Sequence, residues 1–185
     1  MIRARRVTRT FGFVDLVGFT SYTATEGDEA AMAALVGLRS LLRRIAPDRG
    51  VRIAKWLGDG AMLVGVDAEP LVGAILDLHG AVAVDPERTL PVRAGAVEGP
   101  VLLCEGDDHA GMAVNLAARL GDAAAPGELW VPDDLARRVA LPARRRDVGP
   151  VAVRGVDHRV VVTALSPFDA VEGGAAPATP MGVHR

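Results

Sequence analysis

The segment VRIAKWLGDGAMLVGV, residues 51–66, contains two short apolar runs on either side of the tripeptide Gly58-Asp59-Gly60. Glycine and aspartate tolerate positive φ, so this tripeptide predicts a tight turn between two antiparallel strands. We therefore predict a hairpin with strands at 51–57 and 61–66. The turn places Asp59 at the end of a strand.

Upstream of the hairpin, residues 10–17 alternate in polarity, with Phe11, Phe13 and Val17 on one face and Asp15 among them. This alternation predicts a strand, and an acid on the apolar face of a strand is costly without a partner. The segment 18–27 is rich in Thr, Ser and Gly and predicts a loop. Apolar residues at helical spacing, with two acids in the first turn, predict a helix over 28–45.

Downstream of the hairpin, strands and helices continue to alternate. The patterns predict a helix at 71–84, a strand pair at 91–103 bent at Gly99-Pro100, a helix at 111–120, a strand at 129–131, a short helix at 133–139 and two closing strands within 151–165. This order indicates an α+β or α/β layer sandwich. We expect an N-terminal arm at 1–9, one domain at 10–165 and a flexible tail at 166–185.

Bulk composition narrows the class of protein. The chain has 185 residues, half of them apolar, which fits one globular domain. The formal net charge of −2 with interspersed signs gives no reason to expect a nucleic-acid partner. Cys104 is the single cysteine, so no internal disulfide can form and a cytoplasmic setting is expected. No apolar run approaches the roughly 18 to 20 residues that span a bilayer, so we expect no membrane contact by this segment, although it could belong to a longer protein with fused regulatory domains.

Three segments carry the chemistry: FVDLVGFT at 13–20, KWLGDG at 55–60 and DHAGMAVNLAAR at 108–119. Together they resemble the three signature blocks of the class III adenylyl and guanylyl cyclases, in the family's order and with its internal spacings. The resemblance covers about residues 10–165. It implies a ferredoxin-like α+β sandwich with a central, mainly antiparallel sheet flanked by helices. It also implies an adenylyl cyclase that makes cyclic AMP from ATP.

Asp15 and Asp59 are the candidate metal ligands. Two carboxylates a few ångströms apart repel each other unless a divalent cation lies between them, and hard oxygen ligands suit Mg²⁺ or Mn²⁺. The resemblance implies two such ions per active site, with the backbone carbonyl of Leu16 as a further ligand. A strand-end cap and a turn residue are the alternative interpretation of the two acids.

Lys55 and Asp108 are the candidate base-reading residues. Adenine offers an amine that donates and a ring nitrogen that accepts, so an acid and a lysine match its edge. In the family this pair accompanies ATP, whereas guanylyl cyclases carry glutamate and a small polar or thiol residue there. A snorkelling lysine and a turn cap are the alternatives.

Asn115 and Arg119 are four residues apart on a predicted helix and so share one face. The resemblance implies that Asn115 orients the ribose and that Arg119 binds the phosphate that gains charge in the transition state. It also implies that these residues and the metal aspartates come from different chains, so that a homodimer builds two composite sites. A surface helix with a polar stripe is the alternative.

Several residues fall outside these blocks. Arg154 lies near a position where relatives carry a phosphate-binding residue, but a solvated arginine explains it as well, and residues 96–100 depart from the family's usual strand end. Trp56 and Trp130 are interpreted as packing residues. Surface or loop positions are expected for all four histidines. A guanylyl cyclase and an inactive nucleotide-sensing or dimerisation module remain the competing functions.

Overall fold

The computed structural model describes residues 5–85, 90–103 and 109–168. Asp108 and Cys104 lie outside the described residues, as do most of the predicted tail and the first part of the predicted arm. In chain order the elements are β1 (Arg5–Leu16), α1 (Phe19–Glu26), α2 (Asp28–Asp48), β2 (Arg52–Leu57), β3 (Gly60–Gly65), α3 (Ala68–Val84), β4 (Val92–Leu103), β5 (His109–Ala110), α4 (Met112–Ala123), β6 (Leu129–Pro132), α5 (Asp133–Arg138), β7 (Arg144–Val151) and β8 (Val160–Ser166).

One sheet of eight strands organises these described elements, in the order β2-β3-β1-β4-β6-β8-β7, with β5 paired to β4. Every pairing is antiparallel except that between β4 and β6. The predicted α+β sandwich with a mainly antiparallel central sheet is therefore confirmed. The predicted hairpin is also present, as β2 and β3.

The two faces of the sheet bury separate apolar clusters. The face covered by α2 and α3 buries a large cluster that includes Leu38, Leu42, Leu71 and Ile75. The opposite face, covered by α4, buries a smaller cluster around Phe11. Full burial of a leucine or phenylalanine side chain is worth about 1.5–3 kcal/mol, so the larger cluster contributes most of the hydrophobic stability. We call these the α2–α3 face and the α4 face.

The helix α4 packs very close to the sheet, and two glycines permit this. A Cβ added to Gly95 of β4 would lie 2.2 Å from the Gly121 amide nitrogen and 2.4 Å from the Ala117 carbonyl oxygen. Backbone atoms cannot move aside as a flexible side chain can, so only glycine fits at position 95. This contact holds α4 against the middle of the sheet.

The predicted loop at 18–27 is wrong for most of its length, because α1 occupies Phe19–Glu26. This helix has no apolar stripe and only Phe19 packs against the core, so its sequence shows no helical periodicity of apolar residues. Instead Thr23 and Thr25 donate their hydroxyl protons to the Phe19 and Ser21 carbonyls, at 2.9 and 3.0 Å. Residues with weak helix propensity thus form a short helix that is held by packing against α2.

The predicted strand pair at 91–103 is also wrong, since β4 is one continuous strand whose Gly99 and Pro100 pair with Arg9 and Thr8. Pro100 is tolerated because, among the described strands, β6 pairs with β4 only at residues 94–95 and β5 only at residues 102–103, so position 100 has no ladder partner on that side. The partner strand β1 begins at Arg5, so part of the expected arm belongs to the sheet. The first closing strand is β7, earlier than expected, and its charged sequence suits the sheet edge that it forms.

His79 corrects the expectation that all four histidines lie at the surface or in loops. It sits within α3 and is 3% exposed. Burial lowers its pKa to about 4, so the imidazole is neutral at physiological pH. None of the helices in the described ranges is both long and apolar enough to cross a membrane.

Candidate active site

Asp15 and Asp59 come together where β1 ends beside the hairpin. Asp15 pairs with Gly60 across the ladder, and the Leu16 amide donates to the Asp59 carbonyl at 3.2 Å. A Cβ on Gly60 would lie 2.3 Å from the Val14 carbonyl oxygen, so glycine is required for this approach. The Gly58-Asp59-Gly60 turn therefore reverses the chain and also places Asp59 beside Asp15.

The pair is electrostatically strained. The pKa of Asp59 is raised by partial burial and then by the negative charge of Asp15, with which its side chain also shares a hydrogen bond. The backbone hydrogen bond at Asp59 and the positive charge of Arg93 oppose this rise only in part. A cation between the two carboxylates would remove the repulsion.

Arg93, which the sequence reasoning missed, completes the cluster. It lies opposite Asp15 in the ladder between β1 and β4. Its Nη2 and Nε donate to the Asp15 carboxylate at 2.9 and 3.3 Å, and its Nη1 donates to the Asp122 carbonyl at 2.6 Å. The available sequence signal is an arginine on the same strand face as Val97, because a cation on an apolar face needs a counterion. The guanidinium thereby connects the first acid to the C-terminal turn of α4.

Asp15 and Asp59 border a cleft of about 330 Å³ on the α4 face. Its lining comprises Phe13, Val14, Asp15, Leu57, Asp59, Gly60, Ala118, Gly121 and Asp122. Among the described residues there is no cluster of three or more histidine, cysteine or acidic side chains that could hold a metal. The donor set nevertheless fits Mg²⁺ or Mn²⁺, which bind through one or two carboxylates and complete their shells with water and substrate phosphates.

The other described residues singled out in the sequence do not line this cleft with their side chains. Lys55 is exposed on β2, whereas the Leu16 side chain is 1% exposed, so only its backbone could face a ligand. Asn115 and Arg119 are exposed on α4, whose buried positions are Ala113, Ala117, Leu120 and Gly121. Asp108 lies outside the described residues. The structure thus brings together Asp15 and Asp59, and it leaves Lys55, Asn115 and Arg119 at the surface.

Arg119 stands at the border of the cleft. Its Nη1 is 3.8 Å from an Asp122 carboxylate oxygen, and both side chains are more than half exposed. Such an ion pair is weak in water and easily exchanged for another anion. One helix therefore contributes small residues to the cleft wall and carries two polar groups, Asn115 and Arg119, on its solvent side.

Solved structures with the same architecture are nucleotide cyclases. The chain is similar to the adenylyl cyclase CyaB from P. aeruginosa, with a TM-score of 0.80 and 22% identity over 91% of this chain and 98% of the other. It is similar to the catalytic core of a rhodopsin-guanylyl cyclase with converted specificity in complex with ATPαS, with a TM-score of 0.79 and 21% identity over 89% and 99%. The fold is that of the cyclase catalytic domains.

Curated relatives include an adenylate cyclase, although no protein-family model matches the chain. An uncharacterized protein of Mycobacterium tuberculosis (strain ATCC 25618 / H37Rv) is 36% identical over 86% of this chain. A pH-sensitive adenylate cyclase of M. tuberculosis (strain CDC 1551 / Oshkosh) is 33% identical over 94%. The chain spans 41% and 44% of the lengths of these two relatives. It belongs to the class III adenylyl/guanylyl cyclase family, as its three signature segments predict.

Proposed function

We propose that the chain is an adenylyl cyclase that converts ATP to 3′,5′-cyclic AMP and pyrophosphate in composite sites at a homodimer interface. The observation that carries this proposal is the meeting of Asp15 and Asp59 at the cleft, where burial and mutual repulsion raise the pKa of Asp59. Paired acids that can bind a cation suit phosphoryl transfer, because catalysis of this reaction consists mainly of positioning the reacting groups and neutralising the phosphate charge.

The proposed reaction is an in-line displacement. The ribose 3′-oxygen forms a bond to the α-phosphorus, the bond to the bridging oxygen breaks, pyrophosphate leaves and the hydroxyl proton passes to water. Two bound Mg²⁺ or Mn²⁺ ions, held by Asp15, Asp59 and the Leu16 carbonyl, would neutralise the triphosphate and lower the pKa of the 3′-hydroxyl. Arg93 fixes the Asp15 carboxylate at the cleft, and its charge also attracts the triphosphate.

Lys55 and Asp108 are proposed to read the adenine edge, as donor and acceptor respectively. Unpaired buried donors and acceptors cost about 1–3 kcal/mol each, so two mismatched positions discriminate strongly against guanine. The fold itself does not distinguish the bases, since guanylyl cyclases are also among its structural neighbours. Guanylyl cyclase activity is therefore the second candidate function.

Asn115 and Arg119 are proposed to act on a nucleotide that is held by the metal-binding acids of a second copy. Both side chains are exposed on α4, so they are available to a partner. An isologous dimer would combine each α4 with the other chain's acids and so build two equivalent sites. Loss of a group that stabilises transition-state charge costs about 10²–10³-fold in kcat, which is the effect expected for Arg119→Ala.

The first test is cyclic nucleotide formation by the purified chain with ATP or GTP and Mn²⁺, at several protein concentrations. Cyclic AMP that rises faster than linearly with protein, because dimers form by mass action, would support the proposal. Equal or better turnover of GTP would overturn the substrate assignment. No product from either nucleotide at high protein concentration would favour a nucleotide-binding module without catalysis.

Mixing variants tests the shared site. Asp59→Ala and Arg119→Ala should each be inactive alone, whereas random pairing makes half of the dimers mixed and leaves one intact site in each. The mixture should therefore recover about one quarter of wild-type activity. Mixing Asp59→Ala with Asp15→Ala is the matched control and should recover nothing, because both substitutions damage the same half-site. A first mixture as inactive as the control would refute the composite site.

A further inference from the structure

The edge strand β2 contains an irregularity immediately before Lys55. Ile53 pairs with Leu63 of β3, but Lys55 pairs with Met62, so Ala54 is an extra residue that faces no partner across the ladder. Such a β-bulge redirects the side chains that follow it, and bulges are frequent beside active sites. The residues on either side of Ala54 therefore do not keep the simple alternation of a regular strand.

The bulge decides the side of the sheet from which Lys55 projects. Residues paired directly across a ladder share a face. Met62 belongs to the cluster on the α4 face, so Lys55 lies on that face. Asp15 lies on the same face, because it pairs with Gly60, which pairs in turn with Leu57 of β2. In a regular strand Lys55 would share the face of Ile53, which packs on the α2–α3 side.

Trp56 lies on the other side of the strand, where two arginines contact its ring. It pairs with Ala61 and packs against the cluster beneath α2 and α3. The guanidinium carbons of Arg39 and Arg43, one helical turn apart on α2, lie 5.2 and 5.3 Å from the ring centroid. The buried Nε of Arg39 finds no hydrogen-bond acceptor in the described part of the chain, so the ring is a principal contact of that cation.

We propose that the bulge at Ala54 and the stack of Trp56 with Arg39 and Arg43 position Lys55 for base selection. The tight turn fixes the register of β2 next to Gly58, but the position of the bulge is held only by a single neighbouring strand and by side-chain packing. A bulge moved by one residue toward the turn would set Lys55 beside Trp56 opposite Ala61 and turn the Lys55 ammonium toward both cations. The stack therefore favours one position of the bulge by attraction to the indole and disfavours the other by charge repulsion.

This inference rests on the proposed function, because it assumes that Lys55 reads the base. Two readouts separate the two ideas. The first is the rate of thiol modification of Lys55→Cys in a Cys104→Ser background, which reports the exposure of position 55 without any catalysis. The second is the ratio of kcat/KM for ATP to that for GTP in the otherwise unchanged chain.

The test variant is Arg39→Met with Arg43→Met, which keeps the apolar stems and removes both cations. We expect modification of position 55 to slow about fivefold and the ATP-to-GTP ratio to fall about tenfold, mainly through a higher KM for ATP. Trp56→Phe, which keeps a smaller ring, should lie between the variant and the wild type. Arg44→Met on the same helix is the matched control and should match the wild type, because Arg44 borders the groove between α2 and α3 instead.

Unchanged modification in the double variant would overturn the positioning role, whether or not the chain makes cyclic AMP. Slower modification with an unchanged nucleotide preference would overturn the assignment of Lys55 to base selection. Slower modification together with a lower preference for ATP supports both. If kcat falls for both nucleotides while position 55 is modified as fast as in the Arg44→Met control, the damage to the protein is general, and this outcome also overturns the proposal.

Discussion

His79 offers the sharpest prediction about stability. Its ring is buried in α3, and neither ring nitrogen has a hydrogen-bond partner among the described residues. It borders a cavity of about 220 Å³ whose other described lining residues are Val82, Ala83, Pro91, Val92, Pro126 and Gly127. None of these described residues is an acid that could compensate a positive charge, and burial lowers the pKa of His79 to about 4.

The sign and size of the effect follow from proton linkage. Between pH 6.5, the ordinary value, and the folded value of about 4, the unfolded chain binds a proton at His79 and the folded chain does not. The contribution of the neutral imidazole is therefore fully present above pH 6.5 and is lost as the pH falls. At roughly 1.4 kcal/mol per pH unit, the free energy of unfolding should drop by about 2 kcal/mol between pH 7 and pH 5 from this residue.

Urea unfolding at both pH values, for the wild type and for His79→Leu, measures this contribution. Other titrating groups are common to both proteins, so the difference between the two pH dependences isolates His79. The wild type should lose about 2 kcal/mol more than the variant on acidification. His158→Leu, at an exposed position, is the matched control and should behave as the wild type. Equal losses in the wild type and His79→Leu would show that the folded chain protonates this ring freely, and the argument from burial would be wrong.

Three further predictions concern the cleft and its helix. Gly95→Ala should lower the free energy of unfolding by about 1–3 kcal/mol because the new Cβ would overlap the Gly121 backbone, and an unchanged thermal midpoint would mean that α4 is not held this close. Asp59→Asn should raise the thermal midpoint of unfolding in metal-free buffer at neutral pH, because burial and Asp15 raise the pKa of Asp59 and make its charged form unfavourable. Calorimetry should show no Mn²⁺ binding to this variant. A lower midpoint would contradict the repulsion from Asp15. Arg93→Gln should tighten Mn²⁺ binding without nucleotide about threefold, since a cation near Asp15 is removed, and weaker binding would show that the arginine supports the ion instead.

The parts of the fold that the sequence predicts are those with a strong local signal. The hairpin follows from Gly58-Asp59-Gly60. The helices predicted over 28–45 and 71–84 follow from long periodic segments, and in the structure each is three residues longer, at Asp28–Asp48 and Ala68–Val84. The meeting of Asp15 with Asp59 was expected from the hairpin and from the resemblance, and the structure brings both acids to one cleft. Roles for the individual residues stay predictions.

The parts that were missed depend on partners far away in the chain. Gly99-Pro100 looks locally like a bend, and only the pairing with residues 8–9 of β1 makes it a straight strand. The bulge at Ala54 has no sequence signal either, because it is defined by the register against β3. His79, for which the sequence predicts a surface or loop position, is buried because the helix around it is apolar on nearly every side. Tertiary context overrode local propensity in each case.

Arg93 shows why the most informative omission falls at the candidate site. A strand such as β4 gains stability from apolar residues, and Val97 and Val101, which share the α4 face with Arg93, are buried. An arginine at this position would be unfavourable without Asp15 opposite it. Asp15 would be equally unfavourable on β1 without Arg93. Each residue therefore violates the local pattern for the same reason, since the two neutralise each other at the cleft. Paired violations of a strand pattern on adjacent strands thus mark sites where charge is retained for binding, which is the role that the proposed reaction requires here.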